Sequence, residues 1–407
     1  MTSRWIEVPA HVTEVAGGLP DGFRAAGVAC GLKPSGARDL GLLVAGPDTV
    51  SAARFTRSGV LAAPVLLTQE RCRVAGIRAV VVNSGNANAA TGRRGLEDAA
   101  RMQGAAAMAA GVPEDRVAVA STGVIGVPLD TDKVIRGISA ARVELDPHGD
   151  DAFGEAIRTT DRFAKNAALD VELPSGAVRL SAQCKGAGMI SPAFATMLCF
   201  VETDAAIAPE TADLLLGVCV KRSFDRVSVD GQLSTNDTVI LMASGASGVR
   251  IAPESEDELR FGEALDMLLR RLALLLVRDG EGARRVGRAV VHGGHEETVA
   301  RAARAVADSP LVKAALHGGD PNWGRIAQAV GGALWDAAPL PLDIWIEGVQ
   351  VCAGGTAVPH DAAGLAAAVA GDEVEYTVGL PGEGAEAEVF FSDLSHDYVT
   401  INAEYTT

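Results

Sequence analysis

The stretch Lys185-Gly186-Ala187-Gly188-Met189-Ile190-Ser191-Pro192-Ala193-Phe194-Ala195-Thr196-Met197-Leu198-Cys199-Phe200-Val201 joins a bendable run rich in Gly and Pro to an apolar run of β-formers. The spacing predicts a buried strand over Thr196–Val201, because a continuous apolar run of this length suits a strand covered on both faces. A small residue, Ala195, precedes a threonine at the strand start, and that order suits cleavage of the chain by itself. The Thr196 hydroxyl would attack the Ala195 carbonyl, shift the acyl group from nitrogen to oxygen, and let water release a new chain beginning at Thr196. The freed α-amine, with an ordinary pKa of roughly 7.7–8.0, could then serve as base for its own hydroxyl. Taken by itself, the same threonine also fits an ordinary packed strand start.

Outward from this stretch, short apolar runs alternate with amphipathic ones, which predicts a mixed α/β protein. Ala79–Val82 reads as a buried strand entering the loop Asn83-Ser84-Gly85-Asn86, and Leu96–Ala110 as an Ala-rich helix. Asp170–Leu173 and Ala177–Ser181 read as a hairpin around Pro174-Ser175-Gly176. Helices are expected over Thr211–Val220, Asp257–Arg278 and Glu296–Val306. A hairpin is expected over Glu347-Gly348, between Leu342–Ile346 and Val349–Cys352, followed by strands at Val374–Val378, Ala387–Phe391 and Tyr398–Asn402. The best organisational break falls just before Thr196, with no repeat and no long linker.

Composition narrows the function. The chain has 407 residues, 36 Lys+Arg against 52 Asp+Glu, and a net charge of −16. So acidic a surface repels phosphate backbones, so no nucleic-acid partner is expected. No apolar run approaches the roughly 18 residues of a membrane span; the longest candidates, such as Leu272–Val277, are of helix-core length. The N-terminus lacks a basic region followed by an apolar one. The six cysteines (Cys30, Cys72, Cys184, Cys199, Cys219, Cys352) contain no C-x-x-C and sit mostly among Val, Ala and Leu. A cytoplasmic protein, not bound to membranes, is expected.

Eight ordered blocks carry a resemblance. They are VVNSGNANAATG (81–92), STGVIG (121–126), TTD (159–161), KGAGMISPAFATMLCFVETD (185–204), VDGQLSTNDT (229–238), DGEGA (279–283), SPLVKAALHGGDPNWGRI (309–326) and DYVTINAEYTT (397–407). Together they make the chain resemble the ornithine acetyltransferases, arginine-biosynthesis enzymes also called glutamate N-acetyltransferases, over nearly its whole length. The resemblance implies a layered α-β-β-α sandwich with the nucleophile at a strand start. It also implies self-cleavage between Ala195 and Thr196 into an alpha chain, 1–195, and a beta chain, 196–407, with two copies of each assembling. The implied activity moves acetyl from N2-acetylornithine to glutamate by a ping-pong route through an acetyl ester on Thr196. No cofactor and no metal are implied, although acetyl-CoA could be a second acetyl donor.

The resemblance also assigns roles. Thr122 and Gly123 would form the oxyanion hole; one such donor is typically worth about 3–4 kcal/mol of barrier. Thr159, Lys185, Thr196, Glu281, Asn402 and Thr407 would bind substrate. Lys185 suits an α-carboxylate, Glu281 suits an ammonium or the Thr196 amine, and Thr160 competes with Thr159 for its place. Asn236-Asp237-Thr238 reads as a strand entry, the 83–88 loop as tight-turn chemistry or a polar lining, Trp323 as a packing anchor, and His292-Gly293-Gly294-His295 lacks zinc-site spacing. Three positions depart from the family's usual pattern: Ala193-Phe194 for Asn-Met, Gln232 for Asp, and Arg162 for a small polar residue. They leave open a relative acting on a different amine. An N-terminal-nucleophile amidohydrolase is the further alternative.

Overall fold

Successive side chains of a strand point to opposite faces, and here both faces are apolar. In the strands Leu40–Ala45 and Ala79–Asn86, Leu42, Val44, Ala79 and Val81 join one core while Leu43, Ala45, Val80 and Val82 join another. The computed structural model describes residues 3–191 and 197–404. Its four-stranded sheet runs in the order Phe23–Val28, Leu40–Ala45, Ala79–Asn86, Val117–Val124. One face carries the helices Ala63–Arg71, Gly92–Ala110 and Thr131–Val143, through Leu67, Met102, Ala106, Val134 and Ile138.

The other face meets a six-stranded sheet. Its order is Val12–Val15, Lys165–Leu173, Gly176–Lys185, Leu198–Thr203, Thr238–Ala243, Val50–Phe55. Leu198, Phe200, Ile240 and Met242 enter the core between the sheets, where Phe153 and Phe200 meet edge to face at 5.5 Å. Cys199, Val201, Val239 and Leu241 point the other way, onto Pro209–Arg222 and Glu256–Arg278. The layers are therefore helix, sheet, sheet, helix, as the α-β-β-α expectation had it.

Leu198–Thr203 lies inside this sheet, antiparallel to Gly176–Lys185 with Leu198 opposite Lys185, and parallel to Thr238–Ala243 with Leu198 opposite Thr238. The sequence break before Thr196 thus runs through one sheet. A seven-stranded sheet built from Val227–Ser228 and the C-terminal strands forms a further layer, with Glu296–Asp308, Pro310–Gly318 and Trp323–Ala333 on its core. Trp323 packs at that core's edge, as its reading as an anchor expected.

The predicted hairpins and long helices are present, most of them extended by a few residues. Three readings differ, the first being that Asn83–Asn86 continues the strand from Ala79 instead of forming a loop. Tyr398–Asn402 is not a strand but part of the helix His396–Glu404. Ser395 Oγ accepts from the Tyr398 N–H at 3.2 Å, and the helix buries no side chain, so its β-branched residues have no sheet to enter. The strand expected from Thr196 begins at Leu198, because the Met197 N–H is taken by Asp237 Oδ1 at 3.0 Å; Thr196 itself lies outside the described residues.

Candidate active site

The long helix Glu256–Arg278 starts at Ser255, whose Oγ accepts from the Glu258 N–H, and ends by delivering Asp279 into the interior. There the ammonium of Lys165 donates at 2.6 Å to Asp279 Oδ2 and at 2.6 Å to Asp161 Oδ1, with all three side chains buried. Arg162 adds its backbone N–H and its Nε to Asp279. Burial alone would raise Asp161, but the ammoniums of Lys185 and Lys165 outweigh it and hold the carboxyl well below the usual carboxylate range. Asp161 is therefore ionised throughout the physiological range, and it organises its surroundings. Its Oδ1 also accepts from the Gly186 N–H at 2.7 Å and its Oδ2 from the Thr159 N–H at 3.0 Å.

Lys185, next to Gly186, is buried at the end of its strand and donates to Thr122 Oγ1 at 3.1 Å. Burial lowers its ammonium, Asp161 counters that, and Lys165 adds to the lowering. Thr122 and Gly123 close the parallel ladder with Ala79–Asn86, where Gly85 stands opposite Gly123 and the register shifts at Asn86. Gly123 has φ +131°, and a Cβ there would sit 2.4 Å from the Gly85 carbonyl carbon. Only glycine fits that approach. The loop expected at 83–86 is instead the end of the strand Ala79–Asn86, and its asparagines bond locally: Asn83 Nδ2 donates to the Asn86 carbonyl and Asn86 Nδ2 to that of Val127.

On the other side, Glu281 donates its N–H to the Ala187 carbonyl at 2.9 Å, and its carboxylate lies where a Cβ on Gly188 would stand, 2.8 Å away. Asn402 Nδ2 donates to Glu281 Oε2 at 2.9 Å. Asp230 accepts from the N–H groups of Met189 (2.7 Å) and Ile190 (3.0 Å) and so shapes the loop that leads to residue 196; Met189 has φ +51°. Burial pushes the Asp230 carboxyl up, the backbone donors oppose it, and Glu281 adds to the rise. Gln232 is exposed, and its backbone N–H also donates to Asp230.

Six of the expected positions therefore come together: Thr122, Gly123, Thr159, Lys185, Glu281 and Asn402. Ala195, Thr196 and Thr407 lie outside the described residues. The Asp161 contact belongs to Thr159, not to its neighbour Thr160. Sequence reading passed over the residues that hold these together, Asp161, Lys165, Asp279 and Asp230. It also read Asp237 as a strand entry only. That carboxyl is fully buried, accepts the N–H of the residue after Thr196, and is raised well above its ordinary value by burial, with Oδ2 unpartnered among the described residues. Four of these five stand inside the eight blocks that carry the resemblance, but a block does not say which of its residues turns inward.

Fold and geometry define a layered α/β protein with a charged, glycine-lined site where strands of the four- and six-stranded sheets end. The profile of the ArgJ family matches residues 24–407. The arginine biosynthesis bifunctional protein ArgJ of Symbiobacterium thermophilum is 44% identical over 401 residues, covering 97% of this chain and 99% of its own. The protein of the same name from Rhodopirellula baltica is 45% identical over 397 residues, covering 96% of each. Ornithine acetyltransferase of Mycobacterium tuberculosis, solved in complex with ornithine, is 38% identical with a TM-score of 0.42, covering 46% of this chain and 99% of that one. The chain belongs to the ArgJ family and is an enzyme of arginine biosynthesis. Among the described residues, no helix is long and apolar enough to cross a membrane.

Proposed function

We propose that this enzyme is a self-processing N-acetyltransferase that moves acetyl from N2-acetylornithine to glutamate. The observation that carries the reading is the buried Lys185 ammonium 3.1 Å from Thr122 Oγ1, beside the tightly packed Gly123. It sets a cation, a hydroxyl and a backbone N–H together at one strand end, which is what an acyl-transfer site requires. Family membership and the ornithine bound by the tuberculosis relative support the same substrates.

In the first half-reaction Thr196 Oγ attacks the acetyl carbonyl while the Thr196 α-amine takes the hydroxyl proton. Thr122 and Gly123 hold the oxyanion. The C–N bond then breaks, ornithine's nitrogen takes the proton back from the Thr196 ammonium, and an acetyl ester remains on Oγ. Lys185 meets the substrate α-carboxylate, and Glu281, steadied by Asn402, meets the δ-ammonium. Glutamate's amine then attacks the ester, and the same base and oxyanion site return Thr196 to its hydroxyl form with release of N-acetylglutamate. Thr159 and Thr407 complete the substrate contacts, and acetyl-CoA is a further donor to test. Maturation uses the same nucleophile on the Ala195 carbonyl, leaving chains 1–195 and 196–407, two of each in a cytoplasmic assembly.

Intact mass under denaturing conditions, with N-terminal sequencing, tests this directly. The expected result is two fragments of about half the mass each, one beginning at Thr196, and a single uncut, inactive chain for Thr196→Ala. An active Thr196→Ala protein would overturn the mechanism.

A further inference from the structure

A cavity of about 410 Å³ opens beside Thr159, with Lys33, Arg38, Glu155 and Arg158 in its walls. The segment that brings the first two is a built feature. Asp39 is buried and accepts from the backbone N–H groups of Cys30, Gly31, Leu32 and Lys33 at 2.6–3.1 Å, which winds the chain around its carboxylate. That carboxylate is thus engaged by backbone donors, and Lys33 is left to donate to the Arg38 carbonyl at 2.6 Å.

The Lys33 stem lies on Gly85, 3.3 Å from where a Cβ would be, and Gly85 faces Gly123 across the ladder. The cavity is therefore linked through Lys33 to the ladder that carries Thr122 and Gly123. Its other wall is tied in as well: the Arg158 guanidinium donates to the Asp161 carbonyl at 2.7 Å, and Asp161 holds Thr159 and the residue after Lys185. Arg158 also forks onto Glu155, yet its Nε is buried without a partner among the described residues. The walls thus carry three cations against one carboxylate. Burial lowers Lys33, Asp39 opposes, and Lys185 and Arg158 press it down further, so an incoming anion relieves repulsion already present.

The two amino acids that the proposed reaction exchanges share an α-amino-acid end and differ in the sign of the other end. Glu281 lies against Gly188, whereas the cationic cavity is lined without it and reaches the site at Thr159. Resting on that proposed reaction, we infer that the Lys33–Arg38–Arg158 cavity is the subsite for the side-chain carboxylate of the acidic acceptor, separate from the place taken by the donor's alkylammonium. One enzyme then accepts both signs of side chain by offering each its own charged groups, without rearranging its catalytic groups.

Steady-state kinetics of the mature enzyme test this, because in a ping-pong reaction kcat/KM for each substrate reports its own half-reaction. For Lys33→Met, kcat/KM for glutamate should fall by about tenfold or more, as expected for losing a charge-assisted hydrogen bond. The value for N2-acetylornithine should stay within about twofold, and Lys33→Arg should recover most of the loss. Arg38→Ala, at an exposed position, should move glutamate in the same direction by a smaller factor. Discrimination of glutamate over glutamine should shrink in both variants. An unchanged glutamate value, or an equal fall for both substrates, would overturn the subsite while leaving the reaction standing. A wild-type enzyme that transfers no acetyl to glutamate would instead overturn the proposed function, and the subsite with it.

Discussion

Two sets of buried charge sit in the six-stranded sheet and are handled in opposite ways. At the site end, Lys165 lies between Asp161 and Asp279, with Lys185 close by, so that each of these four buried charges has an opposite neighbour. On the neighbouring strand Leu198–Thr203, Glu202 is equally buried but among the described residues has only neutral partners, Ser181 Oγ at 2.7 Å and Gln183 Nε2 at 3.3 Å, and its other oxygen has none there. Burial therefore pushes Glu202 up to about 8. The difference teaches where this fold keeps ionised groups: at the site, where they anchor Thr159, Gly186 and Lys185, and not in the sheet behind it.

Breaking the first set should have the largest effect. Lys165→Met leaves two carboxylates buried without their cation, and stability measured by urea unfolding should drop by about 3–5 kcal/mol. A loss below about 1 kcal/mol would show that the cluster does not hold the site together. The second set sharpens the comparison through pH. The Asp161 contribution is fully present above the ordinary carboxylate range and is lost as pH falls toward its depressed folded value. Glu202 has the opposite sign. Its raised pKa makes the folded state bind more protons, so stability declines as pH rises from 4.5 to about 8. Glu202→Gln should flatten that decline and be more stable than wild type at pH 8 by a few kcal/mol at most. Equal pH slopes in thermal melts of the two proteins would refute a neutral Glu202. The smallest effect belongs to surface charge. Arg93 and Glu97 pair at 2.9 Å on an exposed helix face, and Arg93→Ala should change stability by no more than about 0.5 kcal/mol in the same unfolding assay.

Legibility followed the range of the interactions. The strand at Leu198, the hairpin through Pro174-Ser175-Gly176 and the helix Glu256–Arg278 were readable because period, turn residues and caps act over a few residues. The site was readable in part. Lys185, Glu281, Thr159 and Asn402 came from a family pattern and do meet in space, but no local signal names Asp161, Asp279 or Asp237 as inward-facing. The misread element His396–Glu404 shows the limit from the other side. Tyr398, Val399, Thr400 and Ile401 have strand propensity, which expresses itself only where a sheet edge is available.

By itself, then, the sequence determined the alternation of apolar strands and amphipathic helices, the acidic surface, and the loop and strand read on either side of the Ala195–Thr196 bond, while the layered class of the fold followed from the family resemblance. Only the tertiary structure decided which charges are buried together. Lys165 and Asp279 are 114 positions apart and Lys185 and Thr122 63 apart, so neither pairing leaves a local periodicity. The helix Glu256–Arg278, packed on the outer face of the six-stranded sheet, brings the first pair within hydrogen-bond distance, and the packing of the two sheets face to face brings the second. Excluding water there makes each unpaired charge costly, and so selects the arrangement in which the charges at the site compensate one another.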